Sequence, residues 1–197
     1  MSDVALGLLE FESIAVGIAA GDAMAKRAPI ESIKSGTVQP GKYLVLVSGE
    51  VADVQESLDA GRLSGKDAMR DEIFLPQVDR NVVAALRGER KTGTGAALGI
   101  VETLTVAACI HAADTGVKGA RVTLRELRLA DGLGGKAFLL FSGDVADVEA
   151  AVEIGCKAIR ANLLVKHIVI ASLHPEMDEN LQADTRFGMR TRAESSW

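Results

Sequence analysis

Four carboxylates recur in pairs along this 197-residue chain: Glu10 with Glu102, and Asp22 with Asp114. Paired carboxylates can divide general-acid and general-base work between them. Here the members of each pair lie 92 positions apart inside matching stretches, so each pair is one position written twice, not two groups gathered at one site. That pattern points to structural hydrogen bonding or interface contacts. The two cysteines are isolated as well. Cys109 lies in a helical run of small residues, where a free thiol behaves as core, and Cys156 follows Gly155 with no CxxC or Cys/His spacing around it. Three scattered histidines, His111, His167 and His174, make no metal centre. The stretch GLGGK at 132–136 looks like a phosphate loop, yet it lacks the GxxxxGK[ST] spacing and opens no helix. With no nucleophile–base pair, metal cluster or cofactor fingerprint, the sequence argues against an enzyme.

Composition narrows the classes further. Hydrophobic residues make up 48% of the chain, but no apolar run approaches the roughly 18 residues of a membrane span. A net charge of −5 supplies no positive field to gather nucleic acid or an anionic membrane, so neither is an expected partner. The start, MSDVALGLLEF, lacks the basic and apolar regions of a signal peptide, and the expected location is cytoplasmic. Two cysteines argue against a disulfide framework. High apolar content with 20 glycines suggests that part of the apolar surface is buried between subunits.

The elements that carry these residues come twice. Residues 5–28 and 97–120 share 10 of 24 identities, and GKYLVLVSGEVADV (41–54) meets GKAFLLFSGDVADV (135–148) with 9 of 14. The offset grows from 92 to 94 between these blocks, which puts a two-residue insertion between about 121 and 135 in the second copy. Each copy reads as strand, helix, hairpin, helix, strand and short helix. ALGLLEF is a strand buried on both faces, and Ser13 is placed as the N-cap of the first helix. Gln39-Pro40-Gly41 turns a hairpin, and the second helix is expected to break at Gly61 and Gly65. This order predicts an α+β unit of ferredoxin-like type, an antiparallel sheet covered by helices. The units span 4–87 and 96–182, joined by a Gly/Thr-rich linker at 88–95 and followed by a tail at 183–197, with Arg186, Arg190 and Arg192, that is expected to be disordered.

The motifs ALGLLEFESIAVGIAAGDAMAKRAP, QPGK and VSGEVADV, and their second-copy forms, resemble the bacterial microcompartment shell-protein domain. The chain is most similar to the tandem-domain class of that family, with both copies in the unpermuted order of elements. The resemblance implies a homotrimer that forms a flat pseudohexameric tile, joins other shell proteins edge to edge, and passes small metabolites through a central pore; encapsulated enzymes are further candidate partners. Carried over by position, the helix lysine at the tile edge falls on Lys26 and Lys118. The pore turn falls on Gln39, Pro40 and Gly41, and in copy two on Leu133, Gly134 and Gly135, with Asp131 and Gly132 beside them. Backbone N–H groups of the glycine-rich turn would favour polar or anionic solutes, and the Gln39 amide could replace part of a solute's hydration shell.

Two departures from the family pattern bear on chemistry. A cysteine that holds an iron–sulfur cluster in a trimeric relative is replaced here by Gln39, which offers no thiolate, so no cofactor is expected. The Pro-Arg-Pro-His edge segment of single-domain members reads LPQVDR and ASLHPEM here, leaving Arg80 as the candidate substitute at the edge. The competing reading is a small-molecule-binding trimeric regulator of the same fold.

Overall fold

The seven residues of the first strand, β1 (Ala5–Phe11), are all buried, because layers cover both of its faces. A computed structural model of the chain describes residues 4–189; the remainder of the expected tail, with Arg190 and Arg192, lies outside the described residues. Copy one continues with α1 (Ile14–Arg27), β2 (Ser32–Val38), β3 (Lys42–Gly49), α2 (Val51–Gly65), β4 (Met69–Leu75) and α3 (Arg80–Leu86). Copy two repeats the order as β5 (Ala97–Thr103), α4 (Val106–Gly119), β6 (Thr123–Leu129), β7 (Ala137–Gly143), α5 (Val145–Ala158), β8 (Leu164–Ile170) and α6 (Pro175–Ala183). Each copy forms one antiparallel sheet, β2-β3-β1-β4 and β6-β7-β5-β8, which is the ferredoxin-like connectivity.

Alternation along β1 sorts its side chains into two layers. Leu9 and Phe11 pack with Met24, Val54 and Leu58 under α1 and α2. Leu6 and Leu8 enter a second cluster with Ile73, Leu75 and Val82, and that cluster runs on into copy two through Val106 and Ile110. The two copies therefore share a core.

Local chemistry explains most element ends. The Ser13 hydroxyl accepts from the Val16 amide, as an N-cap should, and Thr105 does the same for α4 through Ala108. The repeated SGEVADV and SGDVADV straddle a strand exit and a helix start in both copies. The expected break at Gly61 does not occur: α2 is continuous and ends at Gly65. A Cβ on Gly61 would stand 2.5 Å from Leu9 and 2.7 Å from Met24, so glycine is there to let the helix seat on its neighbours.

Candidate functional site

The hairpin turns singled out in the sequence meet inside one chain. Copy one turns through Gln39, Pro40 and Gly41, closed by the Gly41 amide donating to the Val38 carbonyl at 3.0 Å. Copy two uses a longer turn, in which Leu133 donates to Ala130 and Ala130 to Lys136, both at 3.0 Å. Its glycines 132, 134 and 135 all have positive φ, which a Cβ would resist. The Gly132 amide donates to the Gln39 side-chain oxygen at 3.2 Å. Gly135 is buried against Pro40, leaving no room there for a side chain. Gln39, Pro40, Gly132 and Gly135 thus form the contact, while Gly41 and Gly134 face open space and Asp131 is exposed beside them. One acceptor of Gln39 is spent on copy two, so its amide is less available to a solute than the sequence suggested.

Behind the turns lies an ion pair that sequence reasoning missed. Lys42 donates to Glu10 at 2.9 Å, with the Glu10 side chain fully buried. The other Glu10 oxygen accepts from the Val106 amide at 2.9 Å, the first residue of α4. A carboxylate at a helix N-terminus meets both unpaired N–H groups and the positive end of the dipole. Burial nonetheless pushes the Glu10 carboxyl above its ordinary pKa, against the Lys42 ammonium and the Val106 N–H, which pull it down. Next to it Asp71 accepts from Thr105 at 2.5 Å and from Arg160 at 2.6 Å. The signal for Lys42 was present in the repeated Gly-Lys at 41–42 and 135–136. Asp71 and Arg160 carry none, because Lys166 stands opposite Glu102 where Asp71 stands opposite Glu10.

Of the four carboxylates read as structural, Glu10 and Asp114 take that role at the junction between copies. Asp114 accepts from the Asp79 amide at 2.8 Å, and Asp79 in turn caps α3 through Asn81. Lys118 donates to Asp114 and to the Gln77 carbonyl, so its ammonium is engaged within the chain. Lys26 differs: it is exposed and pairs with Asp22 at 2.6 Å. Arg80 is exposed at the first position of α3.

The same positions have unequal surroundings in the two copies. Ile14 and Ile18 on α1 are 38% and 54% exposed, whereas their counterparts Val106 and Ile110 are fully buried at the junction. On the opposite side, Ile168 is 46% exposed against 5% for Ile73, and Met177 51% against 0% for Val82. The pair Glu102–Lys136, counterpart of Glu10–Lys42, forms at 2.5 Å but stands partly in solvent. Strand β4 is covered by α4, while β8 presents an open edge.

No group of three or more His, Cys, Asp or Glu residues among the described residues is arranged to hold a metal. Cys109 is buried, which pushes its thiol up to about 12, and His174 serves as the N-cap of α6.

Comparison with known proteins agrees with this architecture. The BMC domain model matches twice, over residues 5–78 and 97–173. The bacterial microcompartment shell protein PduT of Citrobacter freundii is 41% identical over 174 residues, covering 88% of this chain and 95% of that protein. A crystal structure of a microcompartment protein from Desulfitobacterium hafniense superposes with a TM-score of 0.77 at 40% identity, over 90% of this chain and 99% of the other. A fused permuted hexameric shell protein of the RMM microcompartment shares the fold alone, with a TM-score of 0.56 at 23% identity over 79% of this chain and 83% of that one. The relatives of known role are shell proteins and not enzymes, and the order of elements here is the unpermuted one. With two matched domains covering most of its length, the chain belongs to the BMC domain family.

Proposed function

We propose that the chain is a structural tile of a bacterial microcompartment shell, in which three copies close head to tail into a pseudohexamer around their turns. The observation that carries this reading is the unequal burial of equivalent positions. The junction inside the chain joins two different faces, the β4 and α3 side of copy one and the α4 side of copy two. Each chain keeps one unused example of each face. Such a heterologous contact, repeated, gives a ring when the rotation closes. Glu102 would then accept from the Ile14 amide of the next chain, as Glu10 does from Val106. The loop before α6 would seat on Asp22 and Lys26, as the loop before α3 seats on Asp114 and Lys118.

The turns would face a passage on the axis, with Gly41, Asp131, Leu133 and Gly134 beside it and small polar metabolites crossing. The surroundings of Gln39 do not suit an iron–sulfur cluster: its donor is an amide oxygen bonded to Gly132, and neither cysteine lies in a turn. Reconstitution of the purified protein with iron and sulfide should therefore leave no visible charge-transfer absorption; a stable coloured protein with bound iron would refute this. No relative reported above is a ligand-binding regulator, so that alternative is set aside.

Tiles would meet other shell proteins along edges bearing Lys26, Lys118 and Arg80. Arg80→Glu, at a position that stays exposed with the junction inside the chain formed, is expected to abolish extended sheets in electron micrographs while the mass of the ring is kept. If sheets form as before, the edge assignment is wrong. In cells that make the other shell proteins, the tagged chain should sediment with shells; an intact trimer that stays out of them would overturn the shell role.

A further inference from the structure

The last helix of copy two is held in a different way from its counterpart. In copy one, α3 sends Val82 and Ala85 into the core that joins the copies. At the matching places, 95 residues on, α6 has Met177, which is 51% exposed, and Asn180, and none of its residues is buried. Isolated helices shorter than roughly 12–15 residues are marginal in water, and this one has nine. Two arginines secure it.

Arg125 stands at a β-bulge. Leu124 lies opposite Phe141 and Glu126 opposite Leu140, which leaves Arg125 without an opposite residue in β7, whereas β2 runs beside β3 with no shift. A bulge re-aims the side chain it carries. Here the guanidinium is 5% exposed and donates to two residues of α6, Asp178 at 2.6 Å and Gln182 at 3.3 Å. The linker closes over it: the Lys91 amide donates to the Arg125 carbonyl at 3.0 Å, and a Cβ on Gly93 would stand 2.8 Å from the guanidinium carbon. Arg90, also in the linker, donates to the carbonyls of Leu181, Gln182 and Ala183 and, at 3.0 Å, to the Glu126 carboxylate. The carbonyls of a last helical turn have no intrahelical partners, and a cation there also meets the negative end of the helix dipole.

We infer that Arg90 and Arg125 are positioning residues for assembly, holding α6 where Met177 meets the next chain. The inference rests on the head-to-tail ring proposed above. In that ring Met177 takes the part of Val82, which is fully buried at the junction inside the chain. Helix α3 finds its cover within the chain, so its own apolar residues keep it in place. Helix α6 has no such cover until the ring closes, and Asp178, at the place of Val83, gives Arg125 a polar hold on it in the single chain. An unheld α6 would have to be ordered during association, and ordering a segment at an interface subtracts from affinity.

Hydrogen exchange and ring dissociation, measured in Arg90→Met and Arg125→Met, test this. Asp178 is half exposed, so Arg125→Met returns it to solvent, and Arg90→Met leaves Glu126 the Thr185 hydroxyl, which donates to it at 2.7 Å. In an Ile18→Asp background, chosen to keep the chains apart, the amides of residues 179–183 should exchange at least about tenfold faster in each variant, as the loss of a charge-assisted hydrogen bond implies, with β5 and β7 unchanged. Without the Ile18 change, the ring should dissociate at a concentration about tenfold higher than wild type. Unchanged exchange would show that α6 does not depend on the two arginines, and equal acceleration in β5 and β7 that they serve general stability. Faster exchange in α6 with unchanged dissociation would show that its placement does not serve the contact. Any of these results, with the wild type a trimer by native mass spectrometry, overturns the inference and leaves the ring standing. A wild-type monomer sinks both.

Discussion

Ile18→Asp is expected to leave the chain folded and abolish its assembly. In the single chain Ile18 is more than half exposed on α1, so an aspartate there disturbs no core. Its counterpart Ile110 is fully buried in the cluster that joins the copies. If the same contact recurs between chains, each Ile18 loses about 1.5–3 kcal/mol of apolar burial on substitution. An unpaired carboxylate enters an apolar seam in its place. That penalty is incurred at every chain-to-chain contact in a closed ring. Light scattering should report a monomer, and far-ultraviolet circular dichroism an unchanged spectrum. Ile110→Asp, the same change at the equivalent position, should instead unfold the chain. Two variants with matching behaviour would mean that α1 and α4 do not play equivalent parts.

The second large effect is expected at Glu10. Removing one partner of a buried ion pair strands the other, at a cost of about 3–5 kcal/mol. Glu10→Ala leaves Lys42 without its carboxylate and the Val106 amide without an acceptor at the start of α4. For a chain of this size, melting should fall by roughly 10 °C or more. Glu102→Ala removes the equivalent group from a half-solvated pair, where exposed ion pairs contribute about 0–1 kcal/mol. Measured in the Ile18→Asp background, where no ring forms, Glu102→Ala should therefore shift melting by a few degrees at most. In the wild-type background it should also weaken assembly. Equal melting shifts for the two variants in the monomer would contradict the reading of Glu10 as the junction's buried anchor.

Much of the fold was legible because the chain states it twice. A strand, helix, hairpin, helix and strand in matching order leave few antiparallel arrangements open. The exception in α2 is instructive: Gly61 has the type of a helix breaker, but tertiary packing of Leu9 and Met24 against its bare Cα overrides propensity. The turns were legible through Gly, Pro and the two-residue insertion. Unequal surroundings were not. Lys26 and Lys118 carry the same motif, yet one is free of the other copy and one is tied to it, because sequence identity does not say whether a neighbour belongs to the same chain or the next. Asp71 and Arg160 escaped notice for the opposite reason, since neither is repeated and each acquires meaning from the partner it meets across the junction.

The central claim is that the outer faces of one chain are made for each other. Native mass spectrometry of the purified protein tests it most directly. The account predicts one dominant species of three chains, which falls to one chain in Ile18→Asp. A wild-type chain that stays monomeric at micromolar concentration, or a two-chain species closed by a symmetric contact, would contradict it.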